Sequence, residues 1–246
     1  MDEAQFWRQV DSWSRPPIAG VNMSPLEVLS CDKEALGQWV FRTEGQHWAQ
    51  PRARSIRLAS HMDETQNRTV LDFGCGFGFD ALVYAQHGNH VSLLDISPLN
   101  LAVARSVMRS RDYEPSSLHL AGLRSLALQD EHFDVIHANG VLHHIEDAAG
   151  TLRGLKRHLN EDGEIRAMVY SDDAWRFATK TEPDYNMPTK EHPLFMQFVR
   201  TMDASGFYAE WYSEAKMTAL AAESGLRLER YEKLEPDQIY AFAVLK

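Results

Sequence analysis

The chain has 246 residues, enough to bury one substantial core and to carry a modest additional segment. Hydrophobic residues make up 44% and charged residues 24% of the sequence, which argues against disorder over most of its length. The formal net charge of −10 argues against a nucleic-acid substrate, because phosphate binding needs clustered lysine and arginine and the sequence has no such run.

The cysteines and the first residues indicate the compartment. Two cysteines, Cys31 and Cys75, suit a reducing environment. The opening residues, MDEAQFWRQVDSW, are acidic and lack the apolar stretch of a secretion signal. No segment approaches the roughly 18 apolar residues of a membrane span. We therefore expect a cytoplasmic protein with no membrane span, and the oligomeric state stays open.

Helical patterns occupy about the first sixty residues. Ser24-Pro25 predicts a helix start, since a hydroxyl precedes a proline at the first helical position. A further helix is predicted over 52–62. Convincing β alternation does not occur before Thr69.

From Thr69 onward, strands and helices alternate. The predicted strands cover 70–74, 90–95, 118–121, 133–138 and 165–170, and the helices between them cover 78–87, 98–111 and 147–159. Ser97-Pro98 repeats the helix-start pattern seen at Ser24-Pro25. Alternation of this kind predicts a parallel sheet with helices on both faces.

The alternation of strands and helices ends after Tyr170. Residues 171–212 are rich in aromatic side chains and contain three prolines, and they are too long for an ordinary connection. We predict that they form a cap. A helix over 213–224 and two strands over 226–234 and 239–245 follow.

The segment from Thr69 to Ile96 carries the strongest functional signal. A short apolar strand ends in Asp72, three glycines follow, and after a helix the next strand ends in Asp95. Glycines let a ligand approach the backbone closely, and a carboxylate at the second strand can accept bonds from two ribose hydroxyls. This arrangement predicts a site for a nucleoside-containing ligand.

The glycine spacing narrows the choice of nucleoside. A dinucleotide loop has the pattern G-x-G-x-x-G, and its third glycine allows close helix packing. Here Phe79 stands at that position. The P-loop pattern G-x-x-x-x-G-K-[ST] does not occur either. The sequence therefore favours neither a dinucleotide nor a nucleoside triphosphate as the ligand.

The remaining pattern, D-x-G-x-G-x-G, resembles the first motif of the class I S-adenosylmethionine-dependent methyltransferases. Residues 133–137 resemble that family's fourth strand, 139–145 (NGVLHHI) the loop after it, and 161–170 its turn and fifth strand. The resemblance implies a Rossmann-like α/β fold with a seven-stranded, mostly parallel, doubly wound sheet. It also implies three regions: an N-terminal helical lid (1–60), a core (61–170 and 213–246) and the cap (171–212).

The same resemblance implies which residues bind S-adenosyl-L-methionine. Asp72 would order the loop near the cofactor's amino group, Asp95 would bind the ribose, and Asn139 would lie near the methionine part. Leu123 departs from the family, whose members often carry an acidic residue there for the adenine amino group. The full implied set is Asp72, Gly74, Cys75, Gly76, Gly78, Asp95, Ile96, Leu123 and Asn139.

His143 and His144 are the candidate catalytic residues. A sulfonium-bound methyl group is already activated, so positioning supplies much of the rate and a base is needed only when the nucleophile must lose a proton. One of the two imidazoles would then act as that base and the other would pack. Catalysis by positioning alone is the alternative, and no metal is expected.

The aromatic residues around the cap suggest the acceptor. Trp48, Trp175, Tyr185 and Trp211 are predicted to contact it. With the acidic charge, they favour a small organic molecule methylated on oxygen or nitrogen. A tRNA or protein acceptor and a non-catalytic cofactor-binding subunit are the alternatives.

Overall fold

A computed structural model describes residues 23–121, 126–202 and 207–246. The strands are β1 (Thr69–Phe73), β2 (His90–Asp95), β3 (Leu118–Leu120), β4 (Phe133–Asn139), β5 (Leu159–Tyr170), β6 (Leu228–Lys233) and β7 (Tyr240–Leu245). They form one seven-stranded sheet in the order β3-β2-β1-β4-β5-β7-β6. The pairings from β3 to β5 are parallel, and β7 is antiparallel to both neighbours. The predicted seven-stranded, mostly parallel sheet is confirmed.

Several helices begin where the sequence supplies a capping side chain. Ser97 Oγ accepts from the Asn100 amide at 3.3 Å, directly before Pro98. Ser213 Oγ accepts from the Lys216 amide at 3.2 Å in the same way. None of the helices in the described ranges is long and apolar enough to cross a bilayer. The helices are α1 (Pro25–Ser30), α2 (Lys33–Ala49), α3 (Pro51–Ala59), α4 (Phe79–Gln86), α5 (Pro98–Ser110), α6 (Ala148–Lys156), α7 (Asp172–Thr179), α8 (Phe195–Met202) and α9 (Glu214–Glu223).

Both faces of the sheet are covered by helices, as predicted for a doubly wound sheet. Neighbouring β1 residues point to opposite faces, so Leu71 packs in one core with Leu152 of α6 and Met217 of α9. Val70 packs in the other core, which α3, α4 and α5 cover. The sheet is therefore buried on both sides, and its carboxyl edge is left for a site.

Helix α6 ends and β5 begins earlier than the sequence indicates. The amphipathic pattern predicts a helix to Leu159 and a strand from Ile165, but α6 ends at Lys156 and β5 starts at Leu159. Leu159 pairs with Phe133 at the start of β4, and this long-range pairing extends β5 through the polar residues 160–164.

Helices α1 to α3 pack beside the glycine loop. Trp39 of α2 contacts Phe77 and Phe79, with ring centroids 6.4 and 6.1 Å apart. The bulky side chain that departs from the dinucleotide pattern therefore fills the contact with the N-terminal helices. Residues 1–22 of the predicted lid lie outside the described residues.

The predicted cap contains α7, a short 3₁₀ turn (Thr189–Glu191) and α8. Trp175, Phe198 and Trp211 form its own small core with Tyr170. The segment then returns to the sheet, where the Tyr212 amide donates to the Tyr170 carbonyl at 2.8 Å. Both ends of the cap segment are thus fixed beside the end of β5.

Candidate active site

The loop after β1 is held in shape by glycines with positive φ. Gly74, Gly76 and Gly78 have φ of +74°, +50° and +75°, where residues with a side chain are strained. The amides of Gly74 and Cys75 donate to the Leu94 carbonyl at 2.7 and 3.1 Å, which fixes the loop against β2. The loop borders a cavity of about 1090 Å³ at the carboxyl edge of the sheet, called the cleft below.

The three glycines differ in what they face. A Cβ on Gly74 would lie 2.3 Å from Val141 Cγ2, and one on Gly78 would lie 2.8 Å from the Cβ of Ala104 in α5. A Cβ on Gly76 would meet nothing within 4 Å. Gly74 and Gly78 thus allow close packing within the protein, whereas Gly76 leaves room for a ligand.

Asp95 connects the glycine loop to the start of α5. Its Oδ2 accepts from the Gly76 amide at 3.0 Å, and its Oδ1 accepts from the Ser97 amide at 2.8 Å and from Asn100 Nδ2 at 3.3 Å. Burial raises the pKa of Asp95, and these hydrogen bonds offset part of that rise. Because each carboxylate oxygen has two lone pairs, Asp95 can still accept from a ligand hydroxyl.

Asp72 is a buried carboxylate that lacks one hydrogen bond. Its side chain lines the cleft, and within the described residues Oδ2 has no hydrogen-bond partner. Burial raises the pKa of Asp72 well above its usual range, and the nearby charges of Asp80 and Asp95 raise it further. A cationic ligand group in the cleft would relieve both effects, because it would supply a donor and a compensating charge.

A third carboxylate, Asp80, lies in the first turn of α4 and is paired. Its Oδ2 accepts from Asn139 Nδ2 at 2.7 Å and lies 3.0 Å from His137 Nε2. Burial works to raise the pKa of Asp80, but the hydrogen bond and charge of His137 outweigh it, so the pKa is lowered. Sequence reasoning missed Asp80 and His137, which join only when β4 lies beside the start of α4.

His143 and His144 both line the cleft from the 3₁₀ turn Leu142–His144 after β4. The His143 ring packs on Tyr170 with centroids 3.8 Å apart and the planes tilted by 32°, and only 1% of the residue is exposed. Burial lowers the pKa of His143 well below the usual range, and the neighbouring His144 lowers it further. His143 is therefore neutral at physiological pH.

The second histidine is tied to the cap. His144 Nδ1 lies 3.1 Å from the Tyr208 carbonyl, which can only accept, so Nδ1 carries a proton and donates to it. The Glu210 amide donates to the His143 carbonyl at 2.8 Å. Residues 208–210 of the cap segment thus set the position of both histidines.

The end of the cleft beyond Asp80 is formed by the N-terminal helices and the far strands. Arg52 of α3 donates to the Tyr240 hydroxyl at 2.8 Å, and its guanidinium lies 5.0 Å from the centre of that ring. Arg52 makes no ion pair with a carboxylate inside the described ranges. The other residues that line this end are His47, Gln50, Met168, Tyr170 and Met202.

Not all of the site residues predicted from the sequence line the cleft. Those that line it are Asp72, Gly74, Cys75, Gly76, Gly78, Asp95, Ile96, Asn139, His143 and His144. Trp175 and Trp211 lie in the cap core, and Trp48 packs beside α3 and α4, all three outside the cleft lining. Tyr185 is 51% exposed and donates to Asp172 at 2.8 Å, also away from the cleft. Leu123 lies outside the described residues. No group of three or more metal-ligating side chains occurs in the ranges that the structure covers.

The sequence matches a family described as "Methyltransferase domain" over residues 64–223, well over half of the chain. Two curated relatives differ in what they act on. A malonyl-[acyl-carrier protein] O-methyltransferase of Erwinia billingiae (strain Eb661) is 28% identical over 146 residues, which is 58% of this chain and 56% of that protein. A tRNA U34 carboxymethyltransferase of Shewanella sp. (strain ANA-3) is 35% identical over 111 residues, 44% of this chain and 33% of that protein. The chain thus spans about half or less of the relatives it matches.

Solved structures agree with the fold. CalO1, a methyltransferase in calicheamicin biosynthesis with S-adenosylhomocysteine bound, has a TM-score of 0.55 at 22% identity. The match covers 86% of this chain and 56% of the CalO1 chain. An S-adenosylmethionine-dependent methyltransferase of Mesorhizobium loti has a TM-score of 0.59 at 18% identity, with 80% of this chain and 97% of its own covered. The chain therefore belongs to the methyltransferase-domain family and has the class I fold of S-adenosylmethionine-dependent methyltransferases.

Proposed function

We propose that the chain is an enzyme that transfers the methyl group of S-adenosylmethionine to an oxygen or nitrogen atom of a small organic molecule. The observation that carries this proposal is the continuity of the cleft. One cavity of about 1090 Å³ contains both the glycine loop and a second region around His143 and Tyr170. This exceeds the roughly 300–1,000 Å³ of ordinary ligand pockets, which suits a cofactor together with a second molecule.

The residues of the glycine-loop end fit the cofactor. Asp95 would accept from the ribose hydroxyls, Asp72 would pair with the amino group, and Ile96 would pack beside the adenine. Gly76 leaves room for the cofactor against the backbone, and Arg52 is a cation that could pair with its carboxylate. When bound, S-adenosylmethionine supplies a methyl group on a sulfonium and a neutral leaving group.

The acceptor would occupy the remaining part of the cleft. Its lining is apolar and aromatic at Met168, Tyr170 and Met202, which suits a flat or apolar molecule. His143 and His144 would contact the acceptor from the β4 side. His143, which stays neutral because burial lowers its pKa, can accept a hydrogen bond from a hydroxyl or amine.

We also propose that the N-terminal region (1–60) acts as a lid and that residues 171–212 act as a cap. The Arg52–Tyr240 hydrogen bond and the bond from Ser55 Oγ to the Glu235 carbonyl at 2.8 Å join α3 to the far strands. Excluding water at this point would protect the activated methyl group and strengthen the electrostatic contacts in the cleft. The free thiols of Cys31 and Cys75 suit the expected cytoplasmic location.

An assay with labelled cofactor tests the function. The chain would be incubated with S-adenosylmethionine labelled on its methyl group and with the low-molecular-mass fraction of a cell extract. We expect label in a small organic product and tight binding of S-adenosylhomocysteine by calorimetry. Cofactor binding without transfer to any fraction would instead identify a non-catalytic subunit.

A tRNA acceptor is the second candidate, favoured by the similarity to tRNA carboxymethyltransferases. The net charge of −10 weighs against it, because tRNA binding relies on lysine and arginine contacts to phosphates. Label in the RNA fraction, with turnover that falls steeply as salt rises, would establish this alternative.

A further inference from the structure

His47 occupies a distinctive place at the acceptor end of the cleft. It lies in the last turn of α2, one turn before Pro51 begins α3, and its side chain lines the cleft. The turn after β4 supplies His143 and His144. The N-terminal helices supply His47 from another part of the fold.

The imidazole of His47 has no hydrogen-bond partner in the described parts of the chain. Its Nδ1 is buried without one. The ring is instead fixed by aromatic contacts: it stacks on Phe79 at 6.1 Å and 25°, and the edge contact with Trp48 has a centroid distance of 4.5 Å. A buried ring nitrogen that has no protein partner and lines a ligand cleft is free to bond to a ligand.

The surroundings of His47 keep it neutral. Burial lowers the pKa of His47, the carboxylate of Asp80 offsets part of this, and the positive charge of Arg52 lowers it further. A neutral imidazole has a lone pair to receive a proton at physiological pH.

The other two histidines are less suited to this role. His143 is 1% exposed and is covered by the Tyr170 ring. His144 is also buried, at 6% exposed, with its Nδ1 held by the Tyr208 carbonyl. His47 is half-buried, so part of its ring is open to a molecule in the cleft.

We propose that His47 is a catalytic residue that receives the proton of the acceptor during methyl transfer. This inference rests on the proposed function. As the acceptor oxygen or nitrogen forms its bond to the methyl carbon, the carbon–sulfur bond breaks and its electron pair stays on sulfur. The acceptor's proton moves to the His47 imidazole and then to solvent, so both charge and atoms balance.

The test combines three variants with the labelled-cofactor assay on the low-molecular-mass extract fraction. His47→Ala removes the imidazole. His47→Gln retains a hydrogen-bonding side chain but cannot carry the proton. Gln46→Ala, on the exposed neighbouring residue, is the matched control. We expect roughly 10²–10⁴-fold slower label transfer for both His47 variants at the same amount of extract fraction, and normal transfer for the control.

Two readouts separate a catalytic from a structural role. Free imidazole should partly restore transfer by His47→Ala but not by His47→Gln, whose side chain occupies the site. Histidine-ring NMR of the wild-type protein should show a resonance, absent from His47→Ala, that remains neutral at physiological pH. Calorimetry should give wild-type affinity for S-adenosylhomocysteine in both variants.

The possible failures can be distinguished. Normal transfer by His47→Ala, or a His47 ring charged at neutral pH, would overturn the inference and leave the methyltransferase function standing. If His47→Ala does not fold, His47→Gln provides the test. Normal label transfer by His47→Gln would then overturn the inference. A wild-type protein that binds S-adenosylhomocysteine but transfers no label would reject both proposals.

Discussion

Replacing Asp72 with asparagine should make the free protein more stable and the cofactor complex weaker. Asp72 is 2% exposed, and its Oδ2 has no hydrogen-bond partner among the described residues. The charges of Asp80 and Asp95 lie near enough to raise its pKa further, in addition to burial. An asparagine has nearly the same shape and stays neutral at every pH, so it removes the ionised form that the folded protein disfavours.

The size of the effect depends on pH in a defined way. The folded-state pKa of Asp72 is raised above the unfolded value of about 3.9, so the folded protein holds this proton more tightly. The stability associated with this proton is present below the unfolded pKa and is lost as pH rises through the folded pKa. The advantage of Asp72→Asn should therefore grow by up to about 1.4 kcal/mol per pH unit above about pH 4, and then level off.

Urea unfolding of the ligand-free proteins at a series of pH values measures this difference. Calorimetric titration with S-adenosylmethionine measures the opposite effect. The cofactor's ammonium group should lose about 1.5–3 kcal/mol of binding free energy in Asp72→Asn, the scale for a hydrogen bond to a charged group.

Asp134→Asn is the matched control with the opposite sign. Burial raises the pKa of Asp134, but the Thr69 amide at 2.9 Å and Asn160 Nδ2 at 2.8 Å outweigh it, so the pKa is lowered. Its contribution is present above the unfolded pKa and lost as pH falls, so this variant should become relatively less stable as pH rises. A pH-independent difference for Asp72→Asn, or unchanged cofactor affinity, would refute the reasoning.

Three further outcomes follow from the geometry. Asp95→Ala should weaken cofactor binding by about 1.5–3 kcal/mol and also lower the melting temperature, because three N–H groups lose their acceptor; an unchanged melting temperature would contradict this. Gly78→Ala should lower the melting temperature, because its new Cβ would clash with Ala104. Gly76→Ala has open space around it, and its backbone strain should lower the stability by about 1–2 kcal/mol. Its loss of cofactor-binding free energy should be larger than that loss of stability. His143→Ala should slow turnover without changing the affinity for S-adenosylhomocysteine. Because the pKa of His143 is lowered, the wild-type rate should show no His143 titration between about pH 6 and 8. A change of rate with pH in that range that disappears in the variant would count against a neutral His143.

The sheet could be predicted from the sequence because its signals are local. Apolar strands alternate with capped helices, and Ser97-Pro98 marks the start of α5 without help from the rest of the fold. The boundary between α6 and β5 could not be predicted in this way. The strand begins at Leu159 only because the chain pairs there with Phe133 in a neighbouring strand.

Residues of the cleft that lie close together in the sequence could be predicted, and those that meet only through tertiary packing could not. Only one helix and one strand separate the glycine loop from Asp95 in the sequence, so a motif contains both. Asp80 and His137 are fifty-seven positions apart and meet through the packing of α4 on β4, which no local pattern encodes. The aromatic residues of the cap show the converse, since composition cannot distinguish Trp175 in the cap core from a side chain that lines the cleft.

The charges in the cleft explain why the cofactor end is built at a cost to stability. Asp72, Asp80 and Asp95 place three carboxylates around the glycine loop, and only Asp80 lies beside a histidine. S-adenosylmethionine carries a sulfonium and an ammonium charge, whereas S-adenosylhomocysteine keeps only the ammonium. Because opposite charges attract more strongly in a partly desolvated site, this field favours the cofactor over its product. Burial raises the pKa of Asp72 in the free protein, and repulsion from Asp80 and Asp95 raises it further. The same field would distinguish the two ligands and assist product release.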